Sequence, residues 1–202
     1  YIRFHSILSL LCFGHGLLLS PSTLKISWTT SVRLLDIKDV ALPIELEGAN
    51  ANRAVLYYLI FVEVRNALGE DRAIEIMKRA IYQRGSETSP PIKQFAPDRI
   101  RELGEYHVKH SAGGGKVFNP EIQRLDDTAF EVLNTTCPLK QAWIDYGLTD
   151  AEVALMCDIG SAIDYGKFEG AGFTFEVDTW QPGKRGCCTL KAYAAARSED
   201  GH

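Results

Sequence analysis

The sequence predicts an α+β fold, with a helical N-terminal half packed on a small antiparallel sheet that a long helix crosses. Three observations carry the prediction. Between Gly48 and Gly85 two stretches repeat apolar residues at helical spacing. Thr149-Asp150-Ala151-Glu152 is a capping box opening a helix that runs to about Tyr165. Two strand-like segments, 170–180 (GAGFTFEVDTW) and 186–193, flank a Pro-Gly turn and read as an antiparallel pair.

The helices follow in order. The first runs from Gly48 to Ala67, with Asn50 or Asn52 as its cap and Val55, Leu59, Val62 and Asn66 at helical spacing. The second runs from Glu70 to Arg84. Glu70 and Asp71 suit the positive end of its dipole, Ile74, Met77 and Ile81 line one face, and Gly85 closes it. Pro97 suits the first position of a third helix reaching Ser111, because its missing N–H is not needed there. Gly113-Gly114-Gly115 then breaks the chain; without a Walker or Rossmann pattern around it, it reads as a turn rather than a phosphate nest. The segment 128–136 (TAFEVLNTT) is rich in strand formers, and 138–146 (PLKQAWIDY) reads as a short helix. The order from residue 128 is therefore strand, helix, helix, strand, strand.

This places one α+β domain over 49–193, an apolar, partly strand-like segment over 1–48, and a fraying tail over 194–202. In the N-terminal segment 25–29 alternates weakly as a strand, with Pro43 marking the end of the mixed pattern beyond it. Ile7 to Leu19 is apolar behind Arg3 and His5, like the core of a signal peptide, but it is too short to span a bilayer and no small-residue cleavage site follows. The expectation is a cytoplasmic protein, with secretion the alternative if that segment is a signal.

The bulk numbers narrow the function. A chain of 202 residues with 46% hydrophobic content can bury a real core. The net charge of -4 and the lack of a Lys/Arg run argue against nucleic acid and against an anionic membrane surface as partners. Five cysteines, Cys12, Cys137, Cys157, Cys187 and Cys188, make an odd count that does not suit a disulfide scaffold, so free thiols are expected. Cys187 and Cys188 would point to opposite faces if they lie on a strand.

The C-terminal part carries a recognisable series. It reads N-T-T-C-P-L-K-Q-A-W-I-D-Y-G-L from Asn134, M-C-D-I-G-S-A-I-D-Y-G from Met156, G-F-T-F-E-V from Gly172 and G-C-C-T-L from Gly186. Upstream, Arg53-Ala54 is followed by L-G-E-D-R-A-I-E-I from Leu68. The order and spacing of a Cys-Pro at a strand end, a Cys-Asp in the next long helix and a Cys at the start of the last strand resemble the L-2-amino-thiazoline-4-carboxylic acid hydrolase family, over about 49–193. The resemblance implies opening of a cyclic amidine ring. Water adds at the C=N carbon of a small heterocyclic amino acid and gives an N-carbamoyl amino acid.

That chemistry needs a polarised C=N bond, a base for the water and a proton for the leaving atom, or a thiol that attacks first. The family-matched positions are Cys137, Cys157, Asp158 and Cys188. Cys157, Gly160, Ser161 and Asp164 lie three or four residues apart and share one face of the long helix, whereas Asp158 lies about 100° round from Cys157. Cys157 is taken as the nucleophile or a pocket thiol, with Asp158 or His107 as base; His107 and His110 share a side of the third helix, which also reads as a charged, solvated face. Cys137, Cys188, Asp164, Trp143 and Arg53 are assigned to substrate binding, Arg53 (with Arg84 the other choice) as a carboxylate clamp. Tyr146, Tyr165 and Trp180 are further candidates for an apolar wall. A Cys137/Cys157/Cys188 zinc site would lack C-x-x-C pairs, so no metal and no other cofactor is expected.

The expected function is thus a cofactor-independent hydrolase of a non-peptide C–N bond in a cyclic amidine or related heterocycle, with a small-molecule substrate and a homo-oligomer as a possible assembly. Two alternatives use the same pocket: a ring-forming or isomerising enzyme, and a non-catalytic small-molecule-binding module.

Overall fold

The computed structural model describes residues 34–194. The chain runs α1 (Leu34–Leu68), α2 (Glu70–Glu87), α3 (Pro90–Lys93), α4 (Ile100–His110), β1 (Pro120–Leu125), β2 (Ala129–Asn134), α5 (Pro138–Asp145), α6 (Asp150–Glu169), β3 (Thr174–Asp178) and β4 (Thr189–Tyr193). The predicted α+β class holds. Among these residues no helix is long and apolar enough to cross a membrane. The apolar run 7–19 and the strand-like run 25–29 lie outside the described residues, as do residues 195–202 of the tail.

Several boundaries differ from those the sequence predicts. Pro43 does not end a segment but lies inside α1, which begins fourteen residues before Gly48. Neither Asn50 nor Asn52 caps that helix. Asn50 Nδ2 donates to the Leu46 carbonyl at 2.7 Å and its Oδ1 accepts from Arg53 Nη2 at 2.6 Å, so it braces the middle of α1. The third helix begins at Ile100 rather than Pro97, because Arg99 N–H bonds to the Phe95 carbonyl and Ile100 N–H to the Asp98 carbonyl, closing a turn first.

Gly85 does not terminate α2; it is buried within it. A Cβ at Gly85 would lie 2.1 Å from the Ile163 carbonyl oxygen, and one at Gly166 would lie 2.0 Å from the Tyr82 carbonyl oxygen. These glycines let α2 and α6 pack backbone to backbone, and Ser86 Oγ donates across the contact to the Gly166 carbonyl at 3.2 Å. α6 starts at the predicted capping box, with Thr149 and Glu152 exchanging both bonds.

The sheet has four antiparallel strands in the order β1-β2-β4-β3. The pair β3–β4 is as predicted, but β1 was not foreseen. Its sequence PEIQRL mixes charge with only two large apolar residues, and its mid-strand side chains are exposed, as suits an edge strand beginning on proline. β2 is buried along nearly its whole length, which the strand-former pattern anticipated.

Two apolar cores form. One joins α1, α2, α5 and the first half of α6 through Phe61, Met77, Ile81, Trp143, Val153, Met156 and Ile159. The other packs α3, α4 and the end of α6 on the sheet through Ile92, Ile100, Leu103, Phe130, Phe168 and Leu190. α6 belongs to both, and the site lies along it where the helical core gives way to the sheet.

Candidate active site

A cavity of about 240 Å³ opens along α6. Cys157, Gly160, Ser161, Asp164 and Lys167 line it from that helix, at the three- and four-residue steps of a single face. Ten residues of α6 span about 15 Å, so this face runs the length of the cavity. The remaining wall comes from Arg53 of α1, His107 of α4, Asn134 at the end of β2, Cys137 and Trp143 of the α5 region, and the Cys187-Cys188 pair before β4.

Four thiols meet at one end. β2 holds two of them in place: Asn134 N–H donates to the Cys188 carbonyl at 2.9 Å, and Cys187 N–H donates to the Asn134 carbonyl at 2.8 Å. Cys187 and Cys188 thus stand together opposite Asn134, just ahead of β4 rather than on it, so the opposite faces expected of neighbours on a strand do not apply, and both line the cavity. Cys137 is the N-cap of α5, extended at φ −152°, and Pro138 follows it as the first helical residue.

The thiols differ in acidity. Cys137 is lowered to about 7, chiefly by the Cys187 thiol directed at its sulfur. Burial opposes this. The N–H groups of Leu139 and Lys140 and the Lys140 charge favour the thiolate further. Those N–H groups make no well-formed cap bond to the sulfur; their effect is that of the positive end of a helix felt at short range. Cys187 is the counterpart, pushed strongly upward by the Cys137, Cys157 and Cys188 sulfurs around it, and stays protonated. Lys140 is fixed by donating to the Gly186 carbonyl at 3.0 Å and by the Trp180 ring 5.5 Å away, so Trp180 supports the site from behind.

Charged groups gather towards the other end of the α6 face. Burial raises the Asp164 carboxyl to about 6 against the opposing pull of Lys167 and Arg53. Asp164 keeps some accessible surface because it faces the cavity, yet protein surrounds it. Burial also lowers Lys167, and Asp164 resists that shift. His107 lies between the rings of Phe130 at 5.3 Å and Phe168 at 5.6 Å; burial, then the Lys167 charge, lowers it to about 3, so it is neutral. Among the described residues the buried side-chain polar atoms without a hydrogen-bond partner are Arg53 Nε, His107 Nδ1 and Asn134 Oδ1, and all three residues line this cavity. Buried polar atoms are usually satisfied, so three orphans lining one cavity leave two donors or acceptors at its charged end and one acceptor at its thiol end open to whatever fills it.

A family model for L-2-amino-thiazoline-4-carboxylic acid hydrolase matches residues 49–191, well over half of the chain. The chain belongs to this family. No curated protein and no solved structure matches it. The family name points to a hydrolase, and residues 49–191 contain every group described above.

Measured against the sequence assignments, the cavity of this family member gathers Cys157, His107, Cys137, Cys188, Asp164, Trp143 and Arg53. Asp158 is the exception. It faces away on α6 and pairs with Lys78 of α2 at 2.7 Å, with 47% of its side chain exposed, as its 100° offset from Cys157 allows. The solvated-face reading suits His110, which is exposed and stacks on Tyr106, but not His107, which is buried. Arg84 pairs with Glu87 on the surface, Tyr146 is exposed, and Tyr165 packs edge-on against Phe175, so none of these three lines the cavity. Trp143 holds its place by donating Nε1–H to the Ala54 carbonyl at 2.8 Å, which sets Arg53 beside it. Lys167 and Asn134 were not singled out from sequence, and Cys187 stood only as the alternative to Cys188 in the last Cys-Cys pair. Lys167 was within reach, since it continues the 157–160–164 series by one more step. Among the described residues no group of three or more His, Cys, Asp or Glu side chains is arranged to hold a metal ion.

Proposed function

We propose that this protein hydrolyses a cyclic amidine carried on a small amino acid, of the 2-amino-thiazoline type for which its family is named, with Cys137 as the nucleophile. The observation that supports it is the Cys137 thiol at about 7, at a helix N-terminus, on the wall of the cavity along α6. A thiol near pH 7 combines a large thiolate fraction with useful nucleophilicity.

The Cys137 thiolate bonds to the amidinium carbon, and the bond from that carbon to the ring sulfur breaks. With the Cys137 charge consumed in the new bond, Cys187 loses the main group holding its proton and gives that proton to the leaving sulfur, and an isothiouronium adduct remains on Cys137. Water then adds to the same carbon and the bond to Cys137 breaks. Two protons are released: one returns to Cys187, the other passes to Asp164 and out to solvent. The product is the N-carbamoyl amino acid with a free thiol, heavier than the substrate by one water. Arg53 and Lys167 supply the positive charge that a substrate carboxylate requires, and Cys157 lines the nucleophile's pocket.

Intact-mass analysis of a panel of cyclic amidines after incubation with the protein tests this. A gain of one water with 2-amino-thiazoline-4-carboxylic acid supports the proposal. A product of unchanged mass points to an isomerase, and no change in any member of the panel rules the hydrolase reading out.

A further inference from the structure

We propose that Asn134 determines specificity by accepting a hydrogen bond from the exocyclic amino group on the substrate's reacting carbon, and so selects 2-amino rings over their 2-oxo counterparts. This rests on the reading of the cavity as a cyclic amidine site.

Position comes first. Asn134 is the last residue of β2, three residues before Cys137, and its backbone is tied on one side to Cys188 and on the other to Cys187. Its side chain therefore emerges beside the thiols rather than among the charges around Asp164. Orientation comes next. Nδ2 donates to Cys188 Sγ at 3.7 Å, which leaves Oδ1 as the end of the amide that has no partner. Asn134 is 8% exposed, so bulk water does not satisfy that oxygen. The side-chain neighbours at this end of the cavity are thiols, which are weak donors and weak acceptors.

The chemistry of the substrate completes the match. When the amidine carbon meets Cys137, its exocyclic nitrogen carries two N–H groups into the same space, and Oδ1 is a strong acceptor waiting there. A 2-oxo ring places a carbonyl oxygen at that point instead, lone pair against lone pair. A site built around a buried hydrogen-bonding group discriminates strongly against a ligand that leaves the group unpaired.

Two variants test this, with kcat/KM measured for 2-amino-thiazoline-4-carboxylic acid and Ki for 2-oxo-thiazolidine-4-carboxylic acid as a competitive inhibitor. Asn134→Leu keeps the volume and removes the acceptor. It is expected to lose about 10- to 100-fold in kcat/KM for the amino ring and to bind the oxo ring more tightly than the parent protein. Asn134→Asp keeps an acceptor and is expected to go on rejecting the oxo ring, while its carboxylate beside Cys137 lowers kcat/KM for the amino ring by disfavouring the thiolate. Calorimetric binding of the two rings gives the same preference if a variant no longer turns over. An unchanged amino-to-oxo preference in Asn134→Leu overturns the inference while the functional proposal stands. A parent protein that opens no cyclic amidine overturns the functional proposal, and this inference with it.

Discussion

Replacing Cys187 by Ala removes the thiol that does most to lower the Cys137 pKa. A hydrogen bond to a charged acceptor contributes about 1.5–3 kcal/mol, and one pKa unit corresponds to about 1.4 kcal/mol. The Cys137 ionisation should therefore climb from about 7 by about one to two units. At pH 7 its thiolate fraction would fall from about a half to between about a tenth and a hundredth. The more basic thiolate is also the better nucleophile, with a Brønsted slope of about 0.4–0.5, so the alkylation rate at pH 7 should fall only about two- to eightfold. The midpoint of the pH–rate curve is thus the sharper readout. Iodoacetamide labelling followed by peptide mass mapping, run from pH 5 to 10 on the parent protein and Cys187→Ala, gives it. The parent should label first at Cys137 with a midpoint near 7, and the variant's midpoint should move upward. A midpoint that stays put, or a Cys157 that labels ahead of Cys137, refutes the argument.

Three other outcomes follow from the packing and the charges. Gly166→Ala forces a methyl group to 2.0 Å from the Tyr82 carbonyl oxygen, a strain that outweighs the roughly 1 kcal/mol Ala gains within a helix, so urea unfolding should show a loss of about 2 kcal/mol or more; an unchanged midpoint contradicts the close α2–α6 contact. His107 is neutral when folded and takes up a proton on unfolding, so its contribution to stability is lost as pH falls from about 6.5 towards about 3, by up to about 1.4 kcal/mol per unit. Asp164, with its raised value of about 6, acts in the opposite sense between about 4 and 6, so the measurement is the difference between the parent and His107→Gln: the variant's stability should fall less steeply below pH 6.5, and parallel curves would count against a buried neutral imidazole. Asp158→Asn breaks only an exposed ion pair and should change stability by less than about 1 kcal/mol and kcat/KM hardly at all; a large loss of activity would return Asp158 to the site.

The sequence was most informative where one period governed both fold and site. The series 157–160–161–164 followed from helical spacing alone, and so did the separation of Asp158 from it. The capping box placed the start of α6 correctly because its two reciprocal bonds are local. Local patterns failed where distant backbone decided the outcome. Gly85 read as a helix stop because glycine often is one, yet α2 runs on to Glu87 and it is the approach of α6 that requires a glycine in its last turn. β1 carries little apolar signal because it is an edge strand with an exposed face. Cys137 looked like a pocket-lining neighbour, and only the spatial placement of Cys187, fifty residues on, together with the start of α5 explains its acidity. Asn134 gave no signal at all, since an unpartnered amide oxygen is a property of the folded wall.

The central claim is that Cys137, not Cys157, attacks the substrate. Single-turnover measurement of 2-amino-thiazoline-4-carboxylic acid opening by Cys137→Ala and Cys157→Ala, with tryptic mass mapping of acid-quenched parent protein, tests it most directly. The account predicts loss of turnover by at least about a thousandfold in Cys137→Ala, retention within about tenfold in Cys157→Ala, and the adduct mass on the Cys137 peptide. Turnover that survives in Cys137→Ala, or an adduct found on the Cys157 peptide, contradicts it.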